Sequence, residues 1–185
     1  MYGWLDTSLC AASAWFADTD DRFVHASPFA LVHWLPLLGS VLYVPSRTGV
    51  GSTGWWPDGL LSESPLLTPL LHTRYLRVLG MVSADGPREW IDCLDMRGNI
   101  LAQLHLLPDT DYLAWDNLPD ESTIIPRVPH GRARMFHRGA AQVMRFRCQS
   151  LASMACLGAA APPRISALGR VVAQAIVGGQ PLTML

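Results

Sequence analysis

Between residues 73 and 107 the chain alternates apolar and polar residues in three runs separated by short turn signals. Nothing else in the sequence narrows the fold as much. The runs are "TRYLRVLGMVS" (73–83), "REWIDCLD" (88–95) and "ILAQLHLL" (100–107), with "ADGP" and "MRGN" between them. A period of two belongs to strands, and turns this short join antiparallel neighbours. The segment therefore predicts a three-stranded meander. In its third run Ile100, Ala102, Leu104 and Leu106 share one face, and Leu101, Gln103, His105 and Leu107 share the other.

Helix signals surround the meander. In "SPFALVHWLPLLG" (27–39) Ser27 caps, Pro28 stands in the first turn and Gly39 ends the helix, with Pro36 shortening or kinking it. "SVLYVPS" (40–46) is a β-type run, and the Gly-rich stretch 47–59 is a loop or twisted hairpin. Prolines break "LLSESPLLTPLLH", so no long element is expected there. "PDTDYLAWDNL" (108–118) opens a helix capped by Asp109 or Thr110. Residues 124–139 read as a linker or ordered loop. Residues 140–158 have helix-friendly composition, and 166–179 form a last short helix ending at Gly178. The fold class expected is α+β, an antiparallel sheet with helices packed on one face.

Charge divides the chain. All fifteen acidic residues lie between Asp6 and Glu121, and six arginines share that stretch, giving it a formal charge of −9. Residues 122–185 hold eight arginines and no acid, a charge of +8. The expected organisation is an acidic α+β domain over 1–121 and a basic, mostly helical extension over 122–185. That extension either folds against the acidic part or meets an anionic partner. Nucleic acid is a weak candidate, because the arginines of 127–147 lack a helix-turn-helix, zinc or RRM signature. The four cysteines show no C-x-x-C spacing and read as reduced, mostly buried thiols. Mean hydropathy is +0.20, yet no apolar run reaches the roughly 18 residues of a membrane span. No basic residue precedes Arg22, which disfavours a secretory signal, so a cytoplasmic location is expected. G-x-S-x-G, P-loop and H-E-x-x-H patterns are absent, and no catalytic residue is assigned.

The block "WIDCLDMRGNILAQLHLLPDTDYLAWDNL" resembles the recurrent unit of the HemS/ChuX-type haem-utilisation proteins. There a strand runs into a D-x-x-G turn, a second strand, and an acid-capped helix carrying A-W-x-x-L. The matching residues are Asp95, Gly98, Asp111, Ala114, Trp115 and Leu118. Upstream, Leu35, Leu38, Gly39, Val41 and Arg47 are similar to the family's L-x-x-L-G-x-V entry and its Arg-containing loop. "YLRVLG" resembles the strand that presents an arginine to haem, with Arg77 in that position. The resemblance covers roughly residues 31–118 and one of the two halves of a full-length member. It departs at "VGSTG", where many relatives carry a His-Glu pair, and at Gln103, where the family has a basic residue.

The resemblance implies a haem cofactor and a role in haem transfer or storage. Its partners would be haem-uptake proteins or an acceptor protein, and a homodimer stays open. A haem site needs an apolar cleft, a donor to iron and groups for the propionates. The expected cofactor-binding residues are Arg77, Tyr75, Arg47, Trp55 and Trp56. The candidate iron ligands are His105, His72 and His137, the last from a helix packed over the sheet. An internal ion pair to Asp92 or Glu89 is the competing role for Arg77. Haem degradation is open, but no site for an electron donor or activated oxygen is apparent. The rival to haem binding is an interaction module without cofactor.

Overall fold

The three alternating runs form consecutive antiparallel strands in the computed structural model, which describes residues 22–47, 57–83, 86–118, 136–178 and 183–184. In chain order the elements begin with β1 (Arg22–His25), α1 (Pro28–Trp34), a 3-10 turn (Leu35–Leu38), β2 (Ser40–Pro45), β3 (Leu60–Ser62) and α2 (Thr68–Leu71). The meander follows as β4 (Tyr75–Ser83), β5 (Gly86–Leu94) and β6 (Ile100–His105). Then come α3 (Tyr112–Asp116), β7 (Gln142–Leu151), β8 (Met154–Ala160), α4 (Ala167–Val177) and β9 (Thr183–Met184). The sheet order is β1-β4-β5-β6-β2-β7-β8-β3, with β9 beside β7. All pairs are antiparallel except β3 with β8 and β7 with β9. The molecule is α+β, as the patterning predicts.

The helices lie where the caps place them. Ser27 Oγ accepts from the Ala30 amide at 3.1 Å and Pro28 opens α1. Pro36 falls in the 3-10 turn, which ends at Gly39 with φ +70°. The cap of α3 is Asp111, whose carboxylate accepts from the Ala114 amide at 3.0 Å. Thr110, expected as a cap, instead ties the loop before α3 to β2. Its hydroxyl donates to the Ser40 carbonyl at 2.6 Å and accepts from the Leu107 amide. Asp109 accepts from the amide and hydroxyl of Ser166, the cap of α4. Helix α4 ends at Gly178, φ +63°, as expected.

The expectation for residues 140–158 is overturned, and so is that of helices on one face only, since α4 packs on the other. The helix-friendly stretch 140–158 is the β7–β8 hairpin. Its inward residues Val143, Met144 and Phe146 are buried, while Arg145 and Arg147 are exposed. This in-out pattern outweighs the helical preference of Ala, Gln and Met. The turn is hard to see because Ala152 and Ser153 take positive φ, 47° and 65°, without a glycine or asparagine. Residues 136–141 are not helical either, and Arg138 bridges Ser46 at the strand end, so no helix carries His137 over the sheet.

Two apolar cores flank the sheet. The larger packs α1, the 3-10 turn, α2 and α3 against Leu76, Ile91, Ala102, Leu104, Tyr43 and Phe146. The smaller packs Ala173 and Ile176 of α4 against Leu42, Val44 and Val143 on the other face. Residues 101–105 of β6 are therefore buried on both sides. The β5–β6 turn is held by Asp95. Its Oδ1 accepts from the amides of Arg97 and Asn99, and Oδ2 accepts from the Asn99 side chain, each at 2.8 Å. Gly98 there has φ +78°. Asp95→Ala should lower stability by about 1–2 kcal/mol through these lost bonds, and Leu104→Ala by about 2–5 kcal/mol through a cavity. Urea unfolding followed by circular dichroism measures both.

Candidate functional site

On the face opposite α1–α3, two rows of register partners cross the meander. Phe23, Arg77, Asp92, Gln103 and Val44 form one row, over β1, β4, β5, β6 and β2. Leu79, Trp90, His105, Leu42 and Val143 form the next, over β4, β5, β6, β2 and β7. Each row carries polar groups into a buried place, so each must account for its hydrogen bonds.

The first row is nearly satisfied. Asp92 is only 1% exposed. Arg77 donates to its Oδ2 from Nε at 3.1 Å and Nη2 at 2.5 Å, and Gln103 Nε2 donates to Oδ1 at 2.9 Å. The Phe23 ring lies 5.9 Å from the Arg77 guanidinium carbon. Three strands are thus joined through one carboxylate. Gln103 Oε1 is buried without a partner among the described residues.

The second row is not satisfied. His105 is 5% exposed and its Nε2 has no hydrogen-bond partner among the described residues. Its ring stacks with Trp90 at 6.2 Å and 29°. Burial, helped by the positive charges of Arg138 and Arg88, pushes its pKa down to about 3. The imidazole is therefore neutral at physiological pH. With its proton on Nδ1, a neutral imidazole offers Nε2 as a lone-pair donor to a metal.

The other expected residues are scattered. Tyr75 lies on the same face of β4 as Arg77, edge-on to His25 at 5.6 Å. His72 ends α2, on the helix-covered side, and burial lowers its pKa. The chain brings Arg47 and His137 together, both exposed, through a bond from the Arg47 amide to the His137 carbonyl at 2.7 Å. Trp55 and Trp56 lie outside the described residues. The sequence reading missed Trp90 and Arg138. Trp90 was within reach, since two adjacent antiparallel strands with a four-residue turn place it beside His105. Arg138 was not, because its position depends on β7 lying next to β2.

No family model and no curated protein matches the sequence. Among solved structures, the heme degrading enzyme ChuS of Escherichia coli O157:H7 aligns with a TM-score of 0.41 and 17% identity, over 62% of this chain and 38% of that one. The E. coli heme oxygenase ChuS gives 0.40 and 18%, over 62% and 39%. Holo-PhuS, a heme-binding protein from Pseudomonas aeruginosa, gives 0.39 and 19%, over 64% and 38%. The chain spans less than two fifths of the length of each.

Two outcomes are expected. Arg77→Ala strands the Asp92 carboxylate beside Gln103 alone and should cost about 3 kcal/mol in urea unfolding. His105 contributes a pH slope. Its folded pKa lies below the unfolded value, so below about pH 6.5 the unfolded chain takes up a proton that the folded chain refuses. Stability should fall by roughly 1.4 kcal/mol per pH unit from this group, down to about pH 3. Comparing unfolding of the wild type and His105→Gln from pH 7 to 4 isolates that slope.

Proposed function

We propose that this protein binds haem through His105 and serves to carry or store haem in haem-iron use. The observation that carries the reading is the buried, neutral His105 with an unpartnered Nε2. A polar atom left without a partner in a buried place is costly, and a ligand that accepts its lone pair removes that cost. Among the described residues no cluster of His, Cys, Asp or Glu could hold a bare metal ion. An iron already held by a porphyrin needs only one or two further donors. The resemblance of residues 31–118 to haem-utilisation proteins points the same way.

The roles of the chain's own residues follow. His105 would hold the iron. Trp90 would present an aromatic surface beside it, and Leu79 an apolar one. Arg77, held by Asp92, would keep β4, β5 and β6 in register under the ligand. Bound haem would supply any Lewis-acid or redox chemistry, and the protein the pocket. A cytoplasmic location, with haem-uptake or acceptor proteins as partners, belongs to the same proposal. No helix among the described residues is long and apolar enough to cross a membrane.

Haemin titration of the purified protein, followed at the Soret band, tests the reading. A saturable shift at one haem per chain is expected. His105→Ala should weaken binding by about tenfold or more, while His72→Ala and His137→Ala should leave it unchanged. A wild type without a saturable shift, or a His105→Ala protein that titrates like the wild type, would overturn it.

A further inference from the structure

His105 is 5% exposed and its Nε2 is buried. An iron donor must present that nitrogen bare, so whatever covers it has to move before a ligand arrives. Three observations identify the cover as α4. Leu42, the register partner of His105 on β2, belongs to the apolar cluster that Ala173 and Ile176 of α4 complete. Leu107, two residues further along the chain from His105, belongs to the same cluster. Arg138, whose charge acts on His105, reaches the Ile176 carbonyl of α4 from Nη1 at 3.4 Å.

We propose that α4 is a lid over His105, held shut by Asp109, and that release of this clasp admits the ligand to the imidazole. The identity of that ligand rests on the haem reading above; the opening of the lid does not.

The way α4 is held suits a part that opens. Its buried residues are Gly169, Ala173 and Ile176, and only Ile176 is large. Little apolar area therefore resists lifting. A cleft of about 50 Å³, lined by Val44, Arg138, Ile176 and Val177 among others, leaves the C-terminal end of the helix loosely packed. The firm attachment is polar and sits at the other end. Asp109, in the loop after β6, accepts from the Ser166 amide at 3.0 Å and from its hydroxyl at 2.9 Å. Its Oδ2 also fills the space that a Cβ on Gly169 would take. A carboxylate at a helix N-terminus is favourably placed, and water can compete for it because Ser166 is exposed. On either side of α4 the chain is back in the sheet, since β8 ends at Ala160 and β9 pairs with β7 from Thr183. The helix can lift while its flanking strands stay paired.

The test reads His105 exposure without haem. Diethyl pyrocarbonate carbethoxylates an accessible neutral imidazole nitrogen, releasing carbon dioxide and ethanol, and mass spectrometry of the peptides gives the rate at each histidine. The exposed His33 is the internal standard. Two variants break the clasp by different routes. Asp109→Ala removes the carboxylate. Gly169→Ala puts a Cβ where that carboxylate lies, while adding a better helix former. Asp95→Ala, which weakens the β5–β6 turn, controls for a general loss of stability. In the wild type His105 should react about tenfold or more slowly than His33, and each clasp variant should raise the His105 rate about tenfold. Asp95→Ala should leave it unchanged. Hydrogen exchange of the wild type should show the α4 amides exchanging faster than those of β6. Stopped-flow mixing with haemin should then show faster uptake in both clasp variants. A wild-type His105 that reacts like His33, a rate that neither clasp variant changes, a rate that Asp95→Ala raises equally, or α4 amides no faster than those of β6 would each overturn the lid and leave the haem titration to decide the haem reading. Clasp-dependent labelling of His105 without a saturable Soret shift keeps the lid and overturns haem as its ligand.

Discussion

Strand β6 is buried on both faces, and the rest of the site follows from that constraint. A strand in the middle of a sheet, with helices on one side and a second core on the other, should carry apolar residues throughout. Here Ala102 and Leu104 meet the larger core, but Gln103 and His105 point the other way and are buried as well. Each must find a partner or leave a polar atom unpaired. Gln103 finds Asp92, which also takes Arg77 from β4. His105 finds the face of Trp90, and its Nε2 is left over. Burial also holds that imidazole neutral, so the leftover nitrogen keeps a lone pair to give. The proposed iron ligand rests on that combination.

The fold is legible where its signals are local. The meander, the Ser27 cap, the proline in the 3-10 turn, the Asp95 turn and the Gly178 stop depend on residues within a few positions of one another. The β7–β8 hairpin is not legible. Its composition favours helix, and its turn residues Ala152 and Ser153 give no warning of positive φ. Strand β1 escapes for a related reason. Its four residues Arg22–His25 are too few for a period to show, and their pairing with β4 is a tertiary fact.

The candidate site is legible in part. Simple alternation places His105 on the face of β6 opposite Ala102 and Leu104, where the structure also has it. Arg77 falls on its strand, and of the two roles weighed for it the structure contains the ion pair to Asp92. Arg138 reaches the site only because β7 crosses back to lie beside β2. The residues that carry the family resemblance have architectural jobs. Asp95 and Gly98 make a turn, Asp111 caps α3, and Trp115, Leu118, Leu35 and Leu38 fill the core. They speak for how the chain folds, while the claim about haem stands on His105.

The most direct test is nitrogen-15 NMR of the histidine side chains, assigned through His105→Gln and recorded from pH 8 to 4 with and without one equivalent of haemin. The account predicts a His105 ring that stays neutral across that range, and whose signal is the histidine resonance lost when the paramagnetic iron is added. A His105 that protonates near pH 6.5, or whose signal survives haemin unchanged, would contradict it.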